Sequence, residues 1–196
     1  MDQGQTMQTI VTEEAGYEQA LLGLSLSFYD HKTPLDEWWD EPKKARAGKR
    51  ALALAMRQGG HNKFLETIQV WMYVQAPRAF WSEFDTYRSG VTKNSASTMH
   101  TLSKRTVTME DFEEGTAPAS IIAFNDVLRK KPSVTELKLA LPEGWLQERL
   151  VCTNYKVLQH IINQRHDHRL KQWPQFCNAV LAQVQHPEFI WKQEAK

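Results

Sequence analysis

The chain has 196 residues, 41% hydrophobic and 24% charged, a size and composition that suit one globular domain and argue against disorder or a fibrous repeat. Its 24 basic and 23 acidic residues leave a formal net charge of +1, which excludes the overall electrostatic footprint of a nucleic-acid binder and makes any anion site a local one. The two cysteines, Cys152 and Cys177, make neither a disulfide framework nor a four-ligand zinc set, so a reducing, cytoplasmic location is expected.

Residues 1–11 read as a flexible lead-in, with no basic start followed by an apolar block, and no apolar run approaches the roughly 18 residues of a membrane span. Thr12 before Glu13 and Glu14 reads as a helix start, and Tyr17, Ala20, Leu21, Leu24 and Phe28 continue it at helical spacing. A Pro- and Trp-containing loop spans 30–42. Strong helix formers at 43–58 then run to Gly59-Gly60, read as a glycine stop. Phe64–Gln75 is aromatic and β-branched, and Ile68, Val70, Met72 and Val74 fall on one face, which predicts a strand. Pro77 opens a helix with an aromatic stripe at Phe80, Trp81, Phe84 and Tyr87.

The stretch Glu83 to His100, EFDTYRSGVTKNSASTMH, concentrates short hydrogen-bonding side chains at Ser89, Thr92, Asn94, Ser95, Ser97 and Thr98. Such side chains and their amides can wrap an anion such as phosphate; they can equally form a plain solvated loop. Helices are predicted over 119–128 and 133–141, the second with Ser133 as cap and Glu136 three residues on. A short apolar run at 150–152 precedes a helix carrying Val157, Leu158, Ile161 and Ile162 to Arg165, and a last helix covers 173–185.

Several chemistries lack their motifs. HExxH and CxxC are absent, and the spacing of His160, His166 and His168 supplies no metal set. GxSxG is missing, neither cysteine lies in a cysteine–histidine context, and Gly59-Gly60 ends a helix instead of opening a dinucleotide turn.

Three separated fragments stand in a telling order: His61 with Glu66 five residues on, Thr92-x-Asn94-x-x-Ser97, and Leu141-Pro142 followed by Asn154 and Arg165. In this order and spacing, over roughly residues 15–185, the chain resembles the flavin-dependent thymidylate synthases, the ThyX family. The family's RHR tripeptide reads Thr86-Tyr87-Arg88 here, with one extra residue after Arg88. A family glutamine is Glu83, an acid is Ser95, and an arginine is Met99.

The resemblance implies an α+β domain with a central antiparallel sheet flanked by helices. It also implies a homotetramer with active sites shared between subunits, while charge balance and the lack of a long apolar run leave neither nucleic acid nor membrane expected as partner. The implied reaction is reductive methylation of dUMP to dTMP, with methylenetetrahydrofolate, FAD and NADPH. Two alternatives are flavin-independent hydroxymethylation of dUMP and a nucleotide-binding protein that has lost catalysis. On the matching positions, Ser97 and Arg165 would be catalytic, and Glu83, Ser95, Ala96, Ser97, Thr98, Lys138 and Arg165 would bind the nucleotide. His61, Lys63, Glu66, Tyr87, Arg88, Asn94, Asn154, Lys156 and His160 would bind the cofactor, Tyr87 by stacking.

Overall fold

A computed structural model describes residues 6–57 and 59–192. Its strands are β1 (Gln8–Ala15), β2 (Gln69–Pro77), β3 (Thr92–Ser95) and β4 (Leu146–Asn154), joined in one antiparallel sheet in the order β1-β2-β4-β3. The helices are α1 (Tyr17–Ser25), α2 (Leu35–Trp38), α3 (Glu41–Leu54), α4 (Arg78–Phe84), α5 (Thr98–Thr101), α6 (Pro118–Arg129), α7 (Val134–Ala140), α8 (Tyr155–Arg165) and α9 (Gln172–Leu181). The expected α+β class is the class observed. By contacts the chain divides into two compact units. One holds residues up to Ile10, Tyr73–Arg88 and Lys93–Val151, the other Val11–Met72, Ser89–Thr92 and Cys152 onward.

In the first unit, the alternation of strand β2 buries Val74 and Ala76, and α4 buries Phe80, Trp81 and Phe84, as the aromatic spacing predicts. Leu102, Val107, Phe112, Ile121, Phe124, Leu137 and Leu141 form a further core beneath α6 and α7. Helix α7 begins as its sequence reads: the Ser133 hydroxyl accepts from the Glu136 amide, and the Glu136 carboxylate reaches back to the Ser133 amide at 2.7 Å. The polar run expected as a loop is in part the strand β3, and the Ala96 amide continues its pairing by donating to the Glu148 carbonyl at 2.9 Å.

Three expectations fail in the second unit, each for a tertiary reason. The lead-in and the helix start at Thr12 give way to β1; residues 1–5 of that lead-in lie outside the described residues. Thr12 donates to the Trp71 carbonyl, and Glu14 accepts from the Tyr155 hydroxyl at 2.8 Å. Helix α1 starts at Tyr17 because Gly16 takes φ 97°, where a Cβ would stand 2.3 Å from the Thr67 carbonyl oxygen. Helix α3, capped by Asp40, ends at Leu54, ahead of the glycines. Asn62 and Gln159 satisfy the Ala55 carbonyl at 3.0 and 2.9 Å, in place of a glycine cap. Residues 63–67 form a 3-10 turn, so strand β2 begins at Gln69.

Candidate active site

In the first unit, β3 runs into α5 and places the predicted nucleotide residues beside β4. Ala96, Ser97 and Thr98, with Thr101, Arg105, Trp145, Gln147 and Glu148, line a cavity of about 190 Å³. Ser97 is the N-cap of α5, yet its hydroxyl makes no capping bond. A second cavity of about 190 Å³ is lined by Arg78, Thr98, Lys138, Leu141 and Gln147. The two cavities share Thr98 and Gln147, so Lys138 is brought next to the Ser97 segment, as its assignment to one ligand requires. Ser95 and Asn94 are exposed on β3, and Arg88 is exposed in the turn that precedes it. Glu83 is half-buried on α4 and lines neither cavity.

Charge is distributed unevenly between them. Arg105 in the first cavity is paired with Asp111 through both nitrogens, one at 2.7 Å. In the second, Lys138 has no ion pair among the described residues, while Arg78 donates to the Leu141 carbonyl at 2.6 Å and lies 3.4 Å from Glu143. Arg78 and Gln147 carry no assignment from sequence. Arg78 reads as a helix residue after a proline, and Gln147 falls in a stretch to which the sequence assigns no element; only folding brings them to Lys138.

Behind Gln147 lies a charged frame. Arg149 donates to Gln147 Oε1 at 3.1 Å and to Asp85 at 2.8 Å, and its guanidinium stands 4.2 Å over the Trp81 ring. Gln147, which lines both cavities, keeps its NH2 group as a donor while Oε1 accepts from Arg149. Asp85 also meets Lys93 at 2.9 Å. Burial acts to raise the Asp85 carboxyl, but the Lys93 hydrogen bond and the Arg149 charge prevail and hold it below its usual value.

The Tyr87 ring is buried to 9% exposure and packs edge-on against Phe84 at 6.1 Å.

In the second unit, His61, Lys63 and Glu66 line a cavity of about 430 Å³ together with Gln19, Leu24 and Phe64. Its mixture of apolar walls with an imidazole, an ammonium and a carboxylate fits a ligand having an apolar ring and a polar edge. The remaining cofactor candidates of this unit sit elsewhere along α8. Asn154 caps α8 by accepting from the Val157 amide at 3.0 Å, Lys156 donates to Asn62 Oδ1, and His160 is exposed. Arg165 ends α8 with its guanidinium 4.7 Å over Trp173 and Nη1 2.8 Å from His168 Nε2. Burial pushes the Cys177 thiol up to about 12 despite the charge of Arg165, which leaves it inert as a nucleophile near neutrality. Among the described residues, no cluster of three metal-ligating side chains occurs and no helix is long and apolar enough to cross a membrane.

No protein-family model matches the chain, and no curated protein matches it in sequence. Solved structures do match in fold. A flavin-dependent thymidylate synthase ThyX from Helicobacter pylori, complexed with FAD and dUMP, superposes with a TM-score of 0.79 at 12% identity, covering 93% of this chain and 97% of that one. A second structure of ThyX from that organism, also with FAD and dUMP, gives 0.76 at 15% identity over 94% and 97%. The UMP/dUMP methylase PolB from Streptomyces cacaoi, bound with 5-Br dUMP, gives 0.66 at 12% identity over 92% and 91%. The chain therefore has the ThyX fold along nearly its whole length.

Proposed function

We propose that this chain is a pyrimidine deoxynucleotide one-carbon transferase that acts on dUMP. The observation that carries this reading is the pair of adjoining cavities. One offers the cations Arg78 and Lys138; the other offers the Ser97 hydroxyl and the Trp145 side chain; Thr98 and Gln147 belong to both. A phosphate suits the first and a uracil ring the second, and the dUMP complexes of the fold's relatives support that choice of ligand.

The residues present have definite tasks in such a reaction. Lys138 and Arg78 hold the phosphate, which fixes the ring in register. C5 of the uracil takes up the carbon and then gives up its proton to water, which restores the neutral ring. The Gln147 NH2 and the Ser97 hydroxyl are the donors on hand to hydrogen-bond the ring's carbonyl oxygens and hold it in place through these steps. Arg165, held by Trp173 and His168, is proposed as a second anchor of the nucleotide, with Glu83 and Ser95 beside it in role. The shared sites of a homotetramer and the cytoplasmic location belong to the same proposal.

A flavin, when bound, supplies the hydride that turns a transferred methylene into a methyl group, with methylenetetrahydrofolate as carbon source and NADPH as reductant. His61, Lys63 and Glu66 fit its polar edge, and Asn154, Lys156, His160, Asn94 and Arg88 are proposed around it. The burial of Tyr87 favours a second reading. In hydroxymethylation the methylene carbon keeps its oxidation level and takes a hydroxyl from water, releasing tetrahydrofolate, so no hydride is required.

Purified protein incubated with dUMP, methylenetetrahydrofolate and NADPH, followed by mass analysis of the nucleotide, tests both. Absorbance at about 450 nm with a methyl gain is expected for the flavin reaction. A colourless protein with a hydroxymethyl gain establishes the second reading. Absence of dUMP binding refutes the proposal as a whole.

A further inference from the structure

Helix α3 presents three cations to one side. Lys43, Arg46 and Arg50 stand three and four residues apart, which places them on a common helix face. With Ser25, Phe28 and Trp38 they line a cavity of about 140 Å³, and none of these six residues lines the cavities described above. Among the described residues no carboxylate lines it.

The charge there is only partly compensated. Asp40 pairs with Lys43 at 2.7 Å, but Arg46 and Arg50 have no ion pair among the described residues. The Arg50 guanidinium lies 4.0 Å over the Phe28 ring, and the Lys43 ammonium lies 5.4 Å over Trp38. Both cations are thereby held in place by aromatic faces instead of being free to swing into solvent. Arg50 Nη1 is shielded from solvent and has no hydrogen-bond acceptor among the described residues. A desolvated guanidinium N–H without an acceptor is costly, and an oxyanion in the cavity would remove that cost.

We propose that this cavity is an anion site that holds a phosphate group. Two guanidinium groups, an ammonium and the Ser25 hydroxyl converge on a space that takes a tetrahedral oxyanion and leaves the rest of any larger ligand outside. Arginine forks match phosphate oxygens in pairs, and a dianion balances the two unpaired cations where a single carboxylate leaves one over. The phosphate comes either as the free ion or as the terminal group of a nucleotide.

Isothermal titration with inorganic phosphate, against chloride at constant ionic strength, tests the site. An Arg78→Gln/Lys138→Gln background removes any contribution from the proposed dUMP cavity. Binding is expected in that background, weakened about tenfold or more by Arg50→Gln and by Arg46→Gln. Lys49→Gln, on the same helix but outside the cavity, should leave it unchanged. Arg46 is exposed, so its variant keeps the test decisive if Arg50→Gln disturbs folding. ADP that binds tighter than phosphate marks a nucleotide as the source, and equal affinity marks the free ion. No binding up to about 10 mM phosphate, or binding that Arg46→Gln does not alter, overturns the proposal.

Discussion

The Thr153 hydroxyl donates to the Gly90 carbonyl at 2.9 Å, and Gly90 itself takes φ 69°. This pairing ties the turn at Ser89-Gly90 to the end of β4. A Cβ on Gly90 would stand 2.9 Å from Val157 Cγ2 and 3.3 Å from Asn154 Nδ2, so neither the space nor the backbone angle welcomes a side chain. Gly90→Ala is expected to lower stability by about 1–3 kcal/mol, through left-handed strain and crowding together. Urea denaturation checks this, and a loss below about 0.5 kcal/mol would show that α8 yields freely at Val157.

Arg78 and Lys138 line one cavity, but only Lys138 lies on a position that the family resemblance marks. If Arg78 holds the phosphate, Arg78→Gln should weaken dUMP binding by about 1.5–3 kcal/mol and leave deoxyuridine, which lacks the phosphate, unaffected. Calorimetry with both ligands separates this from a structural effect, since loss of the Leu141 and Glu143 contacts would weaken the two alike.

What could be read from the chain was whatever local spacing decides. The face Ile68, Val70, Met72 and Val74 alternates in sequence and is wholly buried in the structure, and Ser133 with Glu136 forms the capping box that its spacing announces. What could not be read was decided by distant partners. Thr12-Glu13-Glu14 has the local chemistry of a helix start, yet Glu14 is claimed by Tyr155, 141 residues away. Gly59-Gly60 has the look of a helix stop, while the carbonyl at the true end is satisfied by the buried Asn62 and Gln159. The site divides similarly. Ser97, Thr98 and Lys138 are marked by the resemblance to the ThyX family, but Arg78 and Gln147 acquire meaning only once β4 lies beside α4, where the Trp81 indole donates to the Gln147 carbonyl.

Asp85 gives a pH dependence with a definite sign. Its folded carboxyl lies below the ordinary value, so its ion pairs with Lys93 and Arg149 stabilise the fold above about pH 4. That contribution fades as pH falls through the lowered folded value. The group is partly exposed, so the effect is expected to stay under about 1 kcal/mol. Asp85→Asn should therefore be less stable than the unaltered chain at neutral pH, with the gap closing in acid. A gap that stays constant from neutral pH down to about pH 3 would place the effect in packing.

Tyr155 tests whether β1 is docked by its polar contacts. Its buried hydroxyl donates to Glu14 at 2.8 Å and accepts from the His186 amide at 3.0 Å, and the other Glu14 oxygen accepts from the Gln185 amide at 3.0 Å. Burial first, and the Glu14 hydrogen bond next, raise the Tyr155 hydroxyl well above its ordinary value, so it stays protonated and remains a donor across the physiological range. Tyr155→Phe removes the donor and leaves the His186 amide without its acceptor, at an expected cost of about 1–3 kcal/mol. Glu14→Gln keeps an acceptor but discharges it, and should cost less. Because both changes act on one contact, the double variant is expected to lose about 0.5–1.5 kcal/mol less than the sum of the single losses. Strict additivity in chemical denaturation would mean that Glu14 and Tyr155 do not cooperate in holding β1.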